Sequence, residues 1–300
     1  MKIGMTLPVT EPGWSREVLQ AWARGIDDGP FDFLALGERV CFPSPEIIST
    51  LSACAVLTER VRLLTTVLIL PAHDPVILAK QLATIDVFSG GRVSVGVGTG
   101  GRMEDYVARS LGAERRRLSV LEQHIETMRQ IWSGDYQVEG AASVVEPLPV
   151  QEGGPPLYAG VFGPKGIASA SRWAEGVCGM SMSGEVSEAR AAFDQINALW
   201  SETPAAQRLA DNPVLGSAFW FALGDDARQQ MQTHLYRYFN WLPESDRRAM
   251  AEHCGFCGSA DELRQRLIAF REAGTDELAL IPTSIDATDL ELAAEVVASL

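Results

Sequence analysis

The regular alternation of short apolar runs with amphipathic helical stretches restricts the fold of this chain more than any other feature. Eight runs of strand length, between residues 3 and 281, are each followed by residues with helical periodicity. Such alternation predicts a parallel sheet covered by helices. We therefore predict an α/β fold, a (β/α)8 TIM barrel, as a single domain over residues 1–300. An open doubly wound sheet shows the same alternation and stays the alternative.

The predicted strands are residues 3–7, 33–36, 61–70, 93–97, 157–160, 176–180, 214–222 and 277–281. Two segments, 134–156 and 200–213, and an additional helix before residue 258 interrupt the alternation. We predict insertions into the barrel here, chiefly after the fourth and seventh strands. Insertions of this kind usually build the functional site of a barrel.

Charge and composition exclude several classes of partner. The 25 basic and 39 acidic residues give a net charge of −14, which disfavours binding to nucleic acid or to anionic membranes. No apolar stretch approaches the ~20 residues of a membrane span, and the first residues do not resemble a signal peptide. We therefore expect a cytoplasmic protein that acts on a small molecule. His253, Cys254 and Cys257 lack a second ligand pair at the usual spacing, so we predict no metal site.

In a (β/α)8 barrel the chemistry lies on the loops that follow the strands. Glu38 and Arg39 follow the second predicted strand, and His73 follows the third. We predict these three as catalytic candidates, because histidine titrates in the range that acid–base catalysis uses. Two alternatives stay open: Glu38 and Arg39 form an ion pair within their loop, or His73 caps the next helix.

Two glycine-rich segments also follow strands. Gly96, Gly98 and Gly101 have the GxGxxG spacing of a dinucleotide site, but the acidic residue that should follow, Glu122, falls inside a predicted helix. A ligand loop and a plain turn at the strand end both remain open. Residues 160–166 begin a helix, whose free N–H groups and Lys165 suit a phosphate. The alternative there is a simple helix start with an exposed lysine.

Aromatic residues gather near the seventh predicted strand and the helix that follows it. The set contains Trp220, Tyr236, Tyr238, Phe239 and Trp241. An apolar substrate cavity and ordinary core packing both explain it, and core packing accounts for most clusters of this kind.

Three stretches together resemble one known family. Residues 73–93 (HDPVILAKQLATIDVFSGGRV) lead directly into the loop of Gly96 to Gly101, and residues 153–160 read GGPPLYAG and 168–176 read ASASRWAEG. The chain resembles the luciferase-like monooxygenase superfamily of flavin- and deazaflavin-dependent enzymes. The resemblance covers nearly the whole sequence, and the long central stretch is its most specific part.

The resemblance implies where a cofactor would bind. Its ring would lie at the barrel mouth, near a non-proline cis peptide bond within residues 65–67, and its phosphate would lie toward residues 160–165. The cofactor-binding residues implied in this way are Thr6, Thr66, Val67, Gly98, Thr99, Gly100, Gly160, Phe162, Gly163 and Lys165.

The resemblance also implies an activity. We expect an oxidoreductase of the monooxygenase type that uses reduced FMN or the deazaflavin coenzyme F-420 on a small organic substrate, as a homodimer. The sugar-phosphate dehydrogenase branch has a histidine after the second strand and a glutamate after the fourth-strand glycines. This chain has Arg39 and Gly101 there, so that activity is not expected. A non-catalytic flavin-binding barrel is the alternative.

Overall fold

The computed structural model describes residues 1–161 and 163–300. Strands and helices alternate along them, as the apolar pattern predicts. The strands are β1 (Lys2–Thr6), β2 (Phe33–Leu36), β3 (Arg62–Ile69), β4 (Val93–Gly98), β5 (Leu157–Ala159), β6 (Gly176–Cys178), β7 (Val214–Leu223), β8 (Phe256–Gly258) and β9 (Glu277–Pro282).

The helices lie between these strands. They are α1 (Arg16–Asp28), α2 (Ile47–Leu57), α3 (Pro75–Ser89), α4 (Met103–Val107), α5 (Leu118–Trp132), α6 (Pro164–Ala170), α7 (Val186–Glu202), α8 (Ala227–Tyr238), α9 (Glu244–His253), α10 (Ala260–Glu272) and α11 (Ala287–Ala298). Within the described residues no helix is both long and apolar enough to cross a membrane.

The order of the strands closes on itself. It runs β6-β5-β4-β3-β2-β1-β9-β7-β8, with an additional pairing of β6 with β7. Eight strands therefore form a closed barrel, and β8 lies beside β7 outside the ring. The predicted (β/α)8 barrel is confirmed. The sequence missed β8 (Phe256–Gly258) because Phe256 and Cys257, between Gly255 and Gly258, form no apolar run of strand length.

By the density of its internal contacts the chain divides into two compact units, which are described separately. The first contains Met1–Ala35, Gly179–Asn197 and Val214–Leu300, and the second contains Leu36–Cys178 and Ala198–Pro213. A single domain over residues 1–300 stays a prediction.

The first unit contains the parallel ladder of β1, β9 and β7. Met5 pairs with Leu280, and Leu280 pairs with Phe219, so these strands run level with one another. All three residues are buried and form the centre of this ladder. The loops that follow β1, β7 and β9 therefore leave the sheet at one edge.

The second unit contains the parallel ladder from β3 to β6. Val95 of β4 lies between Thr65 of β3 and Leu157 of β5, and Tyr158 of β5 pairs with Gly176 of β6. The carboxyl ends of these strands again share one edge. Active sites of (β/α)8 barrels lie at this edge.

The segment between β4 and α5 contains more structure than the sequence predicts. The short helix α4 and a 3-10 turn at Ala113–Arg116 precede α5, which begins at Leu118. With five residues, α4 has too little periodicity to be read from the sequence. The predicted insertion itself, residues 134–156, contains no helix or strand.

Candidate functional site

The second unit contains a buried carboxylate held by a histidine and an arginine at the exits of β2 and β3. Glu38 follows β2, and its side chain is 3% exposed. His73 Nε2 lies 2.9 and 3.0 Å from the two carboxylate oxygens of Glu38. Arg109 Nη2 donates to Oε1 at 2.6 Å, and the Ile69 amide donates to Oε2 at 2.7 Å. The carboxylate therefore accepts hydrogen bonds from three separate segments.

Opposing effects act on the pKa of Glu38, and the net result is a pKa below its usual range. Burial raises it, but the hydrogen bond and charge of His73, the Ile69 amide and the charge of Arg109 lower it by more. Glu38 is therefore ionised at neutral pH and can only accept hydrogen bonds. His73 Nε2 must carry a proton to donate to Glu38. Nδ1 is therefore the nitrogen that remains available for a hydrogen bond or a proton transfer.

The structure shows which contacts the residues of the loops after β2 and β3 make. Asp74, and not His73, caps α3, because its side chain accepts the amides of Val76 and Ile77. Glu38 pairs with His73 and Arg109. Arg39 lies 3.6 Å from Glu104, and its guanidinium lies over the Phe42 ring at 4.6 Å. A hydrogen-bonded Glu38–His73 pair at two strand exits is an arrangement that acid–base chemistry uses.

Strand β3 contains a bulge beside this cluster. The peptide bond between Thr66 and Val67 is cis, as the resemblance implied. The pairing with β4 shifts register between Thr65 and Leu68, so two residues of β3 lie opposite one of β4. Thr66 and Val67 are half-exposed, whereas Leu63–Thr65 and Leu68–Ile69 are buried. The bulge therefore presents a small accessible surface in an otherwise buried strand.

The glycines around this bulge leave room for Val67. A Cβ atom at Gly160 would lie 2.9 Å from Val67 Cγ1, and one at Gly98 would lie 3.1 Å from Val67 Cγ2. A Cβ atom at Gly96 would lie 2.2 Å from the Thr65 carbonyl oxygen. In this structure Gly98 and Gly160 admit the Val67 side chain, which itself remains half-exposed. That these glycines also make room for a ligand stays a prediction.

Gly100 and Thr99 lie just beyond β4. Gly100 has a φ of +67°, and a Cβ atom there would lie 2.9 Å from Ile69. The Tyr106 hydroxyl donates to the Thr99 carbonyl at 2.6 Å, and burial raises the pKa of Tyr106 to about 12. The loop after β4 is therefore fixed by a neutral, hydrogen-bonded tyrosine.

The predicted phosphate loop begins after β5. Gly163 is the N-cap of α6 without a side-chain cap, Pro164 lies in the first turn, and Lys165 is exposed. A phosphate site and a simple helix start with an exposed lysine both fit this geometry. Phosphate binding here therefore stays a prediction. Phe162, which was also predicted to bind the cofactor, lies outside the described residues.

Thr6, the remaining predicted cofactor residue, lies at the end of β1 in the first unit. It is buried, and its hydroxyl has no hydrogen-bond partner among the described residues.

The family of the chain follows from comparison with known proteins. Residues 1–277 match the family model for luciferase-like monooxygenases. The chain belongs to the luciferase-like monooxygenase family.

Individual relatives of this luciferase-like chain are distant. It is 37% identical to an uncharacterized protein of Mycobacterium tuberculosis over 134 residues, 42% of this chain and 47% of that protein. It is 32% identical to an F420-dependent glucose-6-phosphate dehydrogenase of Nocardia farcinica over 146 residues, 44% of this chain and 42% of that protein. The chain thus spans less than half the length of the curated relatives it matches.

A solved structure resembles the luciferase-like barrel along its whole length. The crystal structure of a monooxygenase from Streptomyces bottropensis has a TM-score of 0.80 and 21% identity, covering 100% of this chain and 99% of that one. At this identity the likeness establishes the fold alone.

Sequence reasoning missed the residues that fix the site of this luciferase-like chain. Asp105, in α4, accepts the amides of Val40 and Cys41 at 3.0 and 2.9 Å. Arg109 also donates to the Ala72 carbonyl at 3.0 Å. Both residues follow the fourth strand, and no spacing in the sequence links them to the loops that they hold. Their one signal is that they lie in the segment directly after the fourth predicted strand, where barrel sites are built.

The segment around His253 is not built as a metal centre. His253 ends α9, Cys257 lies in β8 and its thiol donates to the Ala227 carbonyl. Among residues 1–161 and 163–300 no group of three or more His, Cys, Asp or Glu side chains is arranged to hold a metal.

Proposed function

We propose that this chain is an oxidoreductase of the monooxygenase type that binds reduced FMN or the deazaflavin coenzyme F-420 and acts on a small organic substrate. The observation that carries the proposal is the half-exposed Thr66–Val67 bulge in the otherwise buried strand β3, in a chain of this family. A small accessible surface in a buried strand suits one face of a planar ring.

The residues around the bulge fit such a ring and its phosphate. Gly98 and Gly160 leave just enough room for the Val67 side chain, which remains half-exposed. Gly101 and Gly163 have open space around them, since a Cβ atom at either position would lie more than 4 Å from any other group. The uncapped start of α6 lies beside Lys165, and together they suit an anionic tail.

The bound reduced cofactor would supply either a hydride or the electrons that activate oxygen. The chain itself supplies orientation and proton transfer. Glu38 fixes the His73 ring through Nε2, so Nδ1 is presented as the atom that accepts or donates a proton. Arg109 compensates the charge of Glu38 and ties the cluster to the Ala72 carbonyl.

Titration of the purified protein with FMN, and separately with coenzyme F-420, tests the proposal. FMN binding, with oxygen consumption by the reduced complex above that of free reduced FMN, supports a monooxygenase. Coenzyme F-420 binding without oxygen consumption supports hydride transfer. Binding without turnover on any small-molecule panel supports the non-catalytic barrel, and failure to bind either cofactor contradicts the proposal.

A matched pair of glycine variants locates the ring. Gly160→Ala displaces Val67, so we expect cofactor affinity to fall about tenfold or more, which corresponds to ~1.4 kcal/mol. Gly101→Ala adds a methyl group in open space and should retain both the fold and the affinity unless the cofactor covers it. Equal affinity in Gly160→Ala and the unchanged protein would place the ring elsewhere.

The homodimer stays part of the proposal. Helix α2 contains no charged residue, and it exposes Val56 at 69%. Helix α3, which packs against α2, exposes Ile77 at 56% and Phe88 at 57%. Apolar side chains on neighbouring helices favour a partner copy. We expect a dimer in sedimentation equilibrium, and a monomer after Phe88→Glu.

A further inference from the structure

A second buried carboxylate lies in the first unit, on residues to which no role has been assigned above. Glu11 lies on the loop after β1, and its side chain is 9% exposed. Its Oε1 atom is in contact with His234 Nδ1 and Arg237 Nη2, both from α8. The His234 side chain is 0% exposed, so this imidazole is fully enclosed.

The contacts define the protonation of His234. An ionised carboxylate only accepts hydrogen bonds, so Nδ1 carries the proton that Glu11 receives. Arg237 already compensates the charge of Glu11, and a second buried cation would have no counter-charge. Burial accordingly lowers the pKa of His234, against the raising effect of Glu11. The ring is neutral at physiological pH, and Nε2 carries a lone pair.

That lone pair is enclosed, and it has no hydrogen-bond partner among residues 1–161 and 163–300. Buried polar atoms are nearly always paired, because leaving one unpaired costs about 1–3 kcal/mol. An acceptor held in this way, with its other nitrogen fixed by a carboxylate, is suited to receive a donor from a ligand.

The surroundings of His234 are aromatic and apolar. The Tyr238 ring stacks on His234 at 6.0 Å between centroids, and the Trp220 ring lies 6.4 Å away. Trp220 is buried with Phe239, so core packing explains these two of the predicted aromatic set. Tyr238 is only half-buried, and it borders the same cluster.

The same cluster is open at the carboxyl end of its strands. Met180, Met182 and Ile281 pack against it while remaining half-exposed. Ile281 pairs in register with Trp220 near the ends of β9 and β7. This is the edge of a (β/α)8 barrel at which ligands bind. The half-exposed apolar side chains therefore belong to the same cluster as Trp220 and Tyr238, the rings next to His234.

We propose that His234 Nε2 accepts a hydrogen bond from the hydroxyl group of an uncharged aromatic ligand that lies against the half-buried Tyr238. A donor is required because Nε2 can only accept. An uncharged ligand is required because the Glu11–Arg237 pair is already balanced. If the ligand is the substrate of the enzyme, the inference rests on the proposed function. The binding of an aromatic hydroxyl compound at His234 does not depend on that function.

Two ligands test the inference, because a methyl group replaces the hydroxyl hydrogen in one of them. The protein without cofactor is dialysed to equilibrium against 2-naphthol and against 2-methoxynaphthalene, whose oxygen cannot donate. We expect 2-naphthol to bind about tenfold more tightly, and His234→Phe to abolish this preference. His253→Gln, on the exposed end of α9, is the matched control and should retain it. Equal affinities in the unchanged protein, binding of neither ligand, or a preference that survives in His234→Phe would overturn the inference.

A measurement on the unchanged protein keeps the test valid if His234→Phe fails to fold. In protein with ¹⁵N-labelled histidine, 2-naphthol should move the Nε2 resonance of His234, and 2-methoxynaphthalene should leave it unmoved. An unmoved resonance at saturating 2-naphthol rejects the inference. Because neither assay uses a flavin, a naphthol preference in a protein that binds neither FMN nor coenzyme F-420 would reject the proposed function alone.

Discussion

The two units each contain a buried glutamate that holds one histidine and one arginine, but the glutamates hold different nitrogens of the imidazole. Glu38 contacts His73 through Nε2, and Glu11 contacts His234 through Nδ1. The nitrogen that the carboxylate occupies determines which one remains for chemistry. The comparison teaches that the same three residue types can present two different atoms to a ligand.

The two clusters also differ in how the backbone supports them. Glu38 accepts the Ile69 amide, and Arg109 donates to the Ala72 carbonyl, so the main chain takes part on both sides. The contacts of Glu11 are with side chains of α8. We therefore expect the Glu38 cluster to contribute more to stability, and the Glu11 cluster to depend more on α8.

Removing each carboxylate tests this difference, with the largest expected effect. Glu38→Ala leaves a buried histidine and an arginine without their partner, so we expect the free energy of unfolding to fall by about 3–5 kcal/mol. Glu11→Ala should cost about 1 kcal/mol less, because no backbone hydrogen bond is lost. Urea denaturation measures both. Glu244→Ala, which removes an exposed pair with Arg248, is the control and should not differ measurably. Equal losses at Glu38 and Glu11 would remove the distinction.

The two clusters affect the stability of the fold in different pH ranges. His234 has a lowered pKa in the fold, so the unfolded chain takes up the proton first, and stability falls as the pH drops below the ordinary value of 6.5. Glu38 also has a lowered pKa, so its contribution is present above the ordinary value of 4.5 and is lost as the pH falls through the lower folded value.

Thermal unfolding from pH 8 down to about pH 2 measures both losses. His234→Phe should flatten the profile just below pH 6.5 and keep the more acidic loss. Glu38→Gln should flatten the acidic part. A His234→Phe profile parallel to that of the unchanged protein would mean that this imidazole is not held neutral.

Substituting Arg109 and Arg237 by lysine should give the smallest difference in stability between the two clusters. Arg109 uses two nitrogens, one for Glu38 and one for Ala72, and a single ammonium group cannot replace both at that geometry. We expect Arg109→Lys to cost about 1 kcal/mol more than Arg237→Lys. The difference between their urea midpoints checks this, and an equal shift would show that the Ala72 contact adds nothing.

The sequence by itself determined the barrel and one half of its candidate site. The alternation of strands and helices predicted a parallel sheet covered by helices, and eight such units favoured the closed barrel over an open doubly wound sheet. The position of Glu38 and His73 just after β2 and β3 singled them out, since the ends of neighbouring parallel strands meet. The family signature placed the cis bond within residues 65–67, where it occurs between Thr66 and Val67.

The tertiary structure alone decided the partners of those residues. Arg109 is 71 positions from Glu38, and His234 is 223 positions from Glu11, so no local pattern connects either pair. It also decided that Gly96, Gly98 and Gly160 give space to Val67 and the backbone, because a glycine in a sequence does not say which neighbour needs the room. Periodicity fixes which face of an element is buried, whereas the contacts between distant elements depend on how the side chains pack.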